Sequence, residues 1–185
     1  MEHKVCPWWL GYLLASPVRR LWHNPRTILQ PFVTEGMQVL EPGCGMGFFT
    51  VELARLVGPR GKVVAVDVQP QMIAGLKHLA RKAGLVERID ARLAKGDSME
   101  IADLAGTIDF TLAFAMIHEL PNAGHFLDEV YRALKPGRKI LVAEPKGHVK
   151  EIDFAKLMET AKRTGFRVDE GPAIRSSWTA VFTRD

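Results

Sequence analysis

The chain has 185 residues, 47% of them hydrophobic and 25% charged, with 16 glycines and 11 prolines, a composition that fits one globular domain and excludes a disordered or fibrous chain. Two cysteines, Cys6 and Cys44, are too few for a disulfide framework and lack zinc-site spacing, which fits a reduced compartment. The net charge of +4 comes from Lys and Arg scattered along the whole chain, so it reads as solvated surface rather than a nucleic-acid footprint.

In chain order, apolar residues at Leu10, Leu13, Leu14, Val18, Leu21, Trp22, Ile28, Leu29 and Phe32 fall close to helical spacing, and Pro17 and Pro25 divide them into short helices. No apolar run approaches the roughly 20 residues needed to cross a bilayer. Residues 7–15 are a short stretch with two tryptophans and no basic leader, so they do not read as a signal peptide and a cytoplasmic location is expected. A strand at 37–40 then runs into Glu41-Pro42-Gly43-Cys44-Gly45-Met46-Gly47, and a helix at 48–57 follows.

The alternation repeats: a strand at 62–67, a helix at 71–83 stopped by Gly84, and a strand at 89–95. A short helix at 99–104, a strand at 108–113, a helix at 123–134 and a strand at 139–143 after a Pro-Gly turn continue it. That order predicts parallel strands with helices on both faces. After a helix at 152–164, strands at 166–170 and 177–183 are separated by a short link with Gly171-Pro172, which makes them antiparallel neighbours. The expected fold is therefore α/β: a doubly wound, mostly parallel, seven-stranded Rossmann-like sheet with a C-terminal antiparallel hairpin. Residues 1–36 form an N-terminal helical lid and 37–185 the ligand-binding domain.

A glycine-rich loop between strand and helix lets a ligand approach the backbone and meet free N–H groups. The dinucleotide fingerprint wants a glycine where Phe48 stands, which argues against a pyrophosphate. Asp67 ends the next strand about twenty residues on, where a carboxylate meets ribose hydroxyls; the alternative is a turn or cap aspartate. Asp97 is placed to accept from an adenine amine or to cap the following helix.

Together, Val39-Leu40-Glu41-Pro42-Gly43-Cys44-Gly45-Met46-Gly47, Asp67, Gly96-Asp97 and Ile108-Asp109-Phe110 resemble the successive motifs of class I S-adenosylmethionine-dependent methyltransferases. The segment from Phe126-Leu127-Asp128-Glu129 to Lys135-Pro136-Gly137-Arg138 is similar to small-molecule enzymes of the ubiquinone/menaquinone type. The resemblance implies S-adenosyl-L-methionine as cofactor, leaving as S-adenosyl-L-homocysteine. It implies Glu41, Gly43, Cys44, Gly45 and Gly47 around the methionine moiety, Asp67 and Val68 at the ribose, Gly96, Asp97, Ser98 and Met99 at the adenine, and Phe114 beside the cofactor. Glu41 stands where many relatives have aspartate.

Methyl transfer is an in-line displacement that needs alignment and exclusion of water more than a covalent intermediate. Should the acceptor have to lose a proton, His118 is the candidate base, against packing on the cofactor or capping a helix. Glu119 reads as an outward charge, and Glu144 as a substrate contact or a structural turn residue. Trp8, Trp9, Tyr12, Arg19, Arg20, Trp22, His23 and Arg26 form either a lid over the acceptor, a docking helix that completes the core, or an interfacial helix.

The partner expected is a small-molecule acceptor. An amino-directed nucleic-acid methyltransferase resembles others in an Asn or Asp before Pro-Pro and an aromatic after the fourth strand, and Ala113-Phe114-Ala115-Met116 departs from that. A nicotinamide dehydrogenase is disfavoured by the glycine spacing and the hairpin. A cofactor-binding protein without turnover stays as the alternative from another class. Asp109, Glu119 and Glu144 do not form a magnesium spacing, so no metal is expected.

Overall fold

The computed structural model describes residues 23–95 and 98–185. Trp8, Trp9, Tyr12, Arg19, Arg20, Trp22, Gly96 and Asp97 lie outside these residues. Among the described residues no helix is long and apolar enough to cross a membrane.

The elements are α1 (Pro25–Leu29), β1 (Gln38–Pro42), α2 (Thr50–Leu56), β2 (Lys62–Asp67), α3 (Pro70–Ala83), β3 (Ile89–Leu93), β4 (Ile108–Phe114), α4 (Ala123–Ala133), β5 (Leu134–Pro145), α5 (Glu151–Thr164), β6 (Phe166–Glu170) and β7 (Ser177–Arg184). One seven-stranded sheet has the order β3-β2-β1-β4-β5-β7-β6. β1 to β5 pair in parallel, and β7 runs antiparallel to both β5 and β6. The strand order reverses between β1 and β4, which opens a crevice at their carboxyl ends.

Burial on both faces explains why β2 reads as an unbroken apolar run: every residue from Val63 to Asp67 is buried. Side-chain alternation then divides the core. Leu40, Val64, Val66, Ile140 and Val142 face α4 and α5, packing with Phe126, Leu127, Phe154 and Leu157. Val39, Val63, Phe110, Leu112 and Leu141 face the other way, towards Leu29 of α1 and Leu53 of α2. α3 turns Met72, Ile73, Leu76 and Ala80 inward at helical spacing and ends on Gly84 at φ 68°.

Among the boundaries that differ from the sequence expectation, three have a clear local cause. α2 starts at Thr50 rather than residue 48 because the loop continues through two buried phenylalanines, Phe48 and Phe49, whose rings meet edge-on at 5.0 Å. The stretch at 99–104 supplies only a single tight turn, Ala102–Leu104. α4 stops at Ala133, and β5 begins at Leu134 with a bulge: Leu134 pairs with Ile108 but Lys139 with Phe110. The Pro136-Gly137 turn sits inside that bulge, with Gly137 at φ 74°.

Candidate functional site

The glycine loop leaves β1 and is fastened to the end of β2. Cys44 N–H donates to the Val66 carbonyl at 3.1 Å, and Gly45 N–H donates to Asp67 Oδ2 at 2.9 Å. The other Asp67 oxygen accepts from Gln69 N–H at 2.9 Å. Asp67 thus fills the turn role considered for it, yet each oxygen has used one lone pair, and a carboxylate retains capacity for further donors. Burial pushes its carboxyl above the ordinary value, against the amides of Gln69, Gly45 and Val68.

Gly43 has φ 65°, and a Cβ there would come within 2.8 Å of Met116 Cβ, so the loop is pressed against the segment after β4. The Cys44 side chain lies beneath the loop with Ala65, Ile73 and Leu76. Burial, then the charges of Glu41 and Asp67, push its thiol well up.

Glu41, in the last turn of β1 before the glycines, is only 4% exposed. Its Oε2 has no hydrogen-bond partner. Burial pushes the carboxyl up to about 8; the Thr50 hydroxyl works against this and Asp67 works with it. A buried acceptor without a donor is expensive in a folded protein, and one at the open end of a parallel sheet suits a ligand that brings the donor.

Across the crevice, β4 ends at Phe114, which packs on Phe49 at 4.5 Å and edge-on to His23 at 5.3 Å. Ala115 follows with φ 55°, a conformation alanine rarely adopts, and then Met116 and a tight turn, Ile117–Glu119. Glu144, near the end of β5 and 1% exposed, organises this turn. Its Oε1 accepts from Met116 N–H at 3.1 Å and Ile117 N–H at 3.0 Å. Its Oε2 accepts from His118 N–H at 3.4 Å and lies 2.5 Å from His118 Nδ1. Glu144 thus fills the structural turn role considered for it, with its oxygens buried and engaged by the protein's own donors. The hydrogen bond to Glu144 raises the His118 pKa; burial opposes it, and the charges of Glu144 and Glu119 reinforce it.

Beyond β3, Ser98 Oγ donates to Glu129 Oε1 at 2.8 Å, and Met99 N–H to Glu129 Oε2 at 3.1 Å. Glu129 of α4 therefore anchors the residues next to Gly96 and Asp97. The sequence singled it out only within a helix motif. Val68, after Asp67, is 46% exposed, an apolar side chain left open beside the crevice. Among the described residues no group of three or more His, Cys, Asp or Glu side chains is placed to hold a metal ion.

Residues 33–179 match the family described as a methyltransferase domain. The chain belongs to the class I S-adenosylmethionine-dependent methyltransferase family. The chain is 32% identical over 133 residues to the ubiquinone/menaquinone biosynthesis C-methyltransferase of Marinomonas sp., covering 71% of its own length and 51% of the relative's. It is 32% identical over 112 residues to the demethylmenaquinone methyltransferase of Bacillus cytotoxicus, covering 60% of itself and 46% of the relative. The chain thus spans about half the length of the curated relatives it matches.

A solved S-adenosylmethionine-dependent methyltransferase from Aquifex aeolicus shares the fold of this chain with a TM-score of 0.85 at 24% identity, covering 97% of this chain and 98% of the other. The phosphoethanolamine N-methyltransferase 2 of Haemonchus contortus, solved with S-adenosylmethionine, aligns with a TM-score of 0.65 at 22% identity over 80% of this chain and 38% of the other.

Proposed function

We propose that this chain transfers the methyl group of S-adenosylmethionine to a small-molecule acceptor. The observation that carries the reading is the unpartnered, buried Oε2 of Glu41 beside the glycine loop at the sheet's reversal point. A cationic amino group answers both the missing donor and the charge that burial disfavours. The residues therefore fit the amino-acid end of S-adenosylmethionine.

In this reading, Glu41 and the main chain of residues 43–47 hold the methionine part. Asp67 and Val68 take the ribose, and Ser98 and Met99, with Gly96 and Asp97, take the adenine. Phe114 forms part of the wall between the loop and β4. The cofactor supplies an electrophilic methyl carbon on a positively charged sulfur. The protein's own contribution is to fix the ligand against a loop laced to β2, to exclude water with apolar walls, and to present His118 to the acceptor. Alignment of this kind is worth about 7–11 kcal/mol of barrier, more than one base contributes.

The relatives' names, which specify ubiquinone/menaquinone biosynthesis, support a small-molecule acceptor. Titration with S-adenosylhomocysteine by calorimetry tests the reading. Micromolar binding supports it; absence of binding to the intact protein overturns it.

A further inference from the structure

We propose that His118 and Glu144 act as a base dyad that takes the proton from an acceptor hydroxyl of phenol or enol acidity, with His118 the catalytic residue and Glu144 the positioning residue. This inference rests on the methyl-transfer reading above and names the acceptor class for that same site.

Every group that the structure directs at the Glu144 oxygens is a donor: the main-chain N–H groups of Met116, Ile117 and His118, and the His118 ring at 2.5 Å. A carboxylate is an acceptor only, so Nδ1 carries the ring proton and Nε2 of the neutral imidazole keeps its lone pair. Three amides from one turn converge on one carboxylate, so the acid is locked and the ring is held in one orientation. With 1% of Glu144 exposed, water does not compete for it.

The groups around the ring come from three elements. Glu144 belongs to β5. Glu119, on the ring's own turn, has Oε1 4.0 Å from Nε2, beyond hydrogen-bond reach. His148, on the segment between β5 and α5, stands edge-on with ring centroids 5.7 Å apart. Two carboxylates beside the imidazole favour its protonated form, which strengthens Nε2 as a base. The side chain is 21% exposed, so an acceptor can reach it. Met116, two residues before, packs on Gly43 of the glycine loop, which joins the dyad to the cofactor crevice.

The chemistry selects a neutral hydroxyl. Its O–H bond breaks, the proton goes to Nε2, and the electron pair stays on oxygen or spreads to a conjugated carbon. That atom attacks the methyl carbon as the carbon–sulfur bond breaks, its pair leaving on sulfur to give the thioether. When carbon attacks, the carbon's own proton is then lost to solvent. Removing the proton creates an anion between an imidazolium and a sulfonium, which both stabilise it. An ammonium acceptor would instead bring a second positive charge beside the sulfonium and leave no anion to stabilise.

The test uses 4-nitrophenol, whose absorbance reports ionisation, with protein saturated by S-adenosylhomocysteine. The expected result is that bound 4-nitrophenol ionises with a pKa at least one unit lower than free probe, a tenfold change in its ionisation constant. His118→Asn is expected to abolish that shift and Glu144→Gln to reduce it, each measured at S-adenosylhomocysteine concentrations that saturate the variant. Nitrogen NMR of the intact protein supplies a readout that needs no variant: a ring protonated at Nδ1 is expected.

Failure of the loaded protein to bind the probe, an unshifted pKa, an equal shift in His118→Asn, or a ring protonated at Nε2 would each overturn the proposal. Failure of the intact protein to bind S-adenosylhomocysteine would instead overturn the methyl-transfer reading beneath it.

Discussion

Asp67 Oδ2 holds the N–H of Gly45 at 2.9 Å, across 22 residues of sequence, and so fixes the glycine loop to the end of β2. A hydrogen bond to a charged group contributes about 1.5–3 kcal/mol. Asp67→Ala is expected to lower stability by about that amount and to weaken S-adenosylhomocysteine at least tenfold. Asp67→Asn, which retains one acceptor oxygen, should fall between. Chemical unfolding and calorimetry check both values.

Glu41 predicts a proton released on binding. Burial holds its carboxyl at about 8 instead of 4.5, so at pH 7 the empty site is mostly protonated. A ligand ammonium favours the ionised form and drives the proton out. Calorimetry in buffers of different ionisation enthalpy should therefore show net proton release on binding at pH 7, and none in Glu41→Gln. The sign for stability follows from a raised folded pKa: Glu41's contribution is full below about 4.5 and is lost as pH rises through about 8. Ligand-free protein should lose melting temperature across that window, and Glu41→Gln should flatten the loss.

Two glycines of one loop predict opposite phenotypes. At Gly43 a methyl would meet Met116 Cβ at 2.8 Å, whereas at Gly45, with φ 54°, nothing stands within 4 Å. Gly43→Ala combines a positive φ with a steric clash and is expected to cost about 2–4 kcal/mol. Gly45→Ala carries only the backbone strain, about 1–2 kcal/mol, but puts its methyl into the open space beside the loop. Its larger effect should be on S-adenosylhomocysteine affinity. Melting curves paired with binding isotherms separate the two.

The parts of the fold legible in the sequence are those written in local patterns. β2 has the expected bounds because five consecutive residues are buried, and α3 ends where expected because Gly84 supplies its cap. The carboxyl-edge position of Asp67 followed from where the apolar run ends and from its spacing of about twenty residues beyond the glycines. The bulge in β5 was less visible, since Pro136-Gly137 reads equally as a turn between elements and as an excursion within one strand. Glu144 was the hardest residue to place. Its donors lie 26 to 28 residues earlier, and only the pairing of β4 with β5 brings them to it. A side chain that acts by organising a distant turn leaves no periodic signal.

Glu129 is a second long-range anchor, and it yields a prediction that separates binding from chemistry. It sits on α4 yet accepts from Ser98 Oγ and Met99 N–H, 31 and 30 residues away. Met99 is buried, so deleting the acceptor strands a main-chain N–H at a cost of about 1–3 kcal/mol. Part of that cost is met by loosening the segment that Glu129 anchors. Glu129→Ala is therefore expected to raise the KM for S-adenosylmethionine by roughly tenfold, about 1.4 kcal/mol, with kcat changed less than about twofold because uniform binding is what is lost. Glu129→Gln, which keeps one acceptor oxygen, should recover part of the KM. An equal fall of kcat and kcat/KM would instead place Glu129 in the transition-state machinery and contradict an anchoring role.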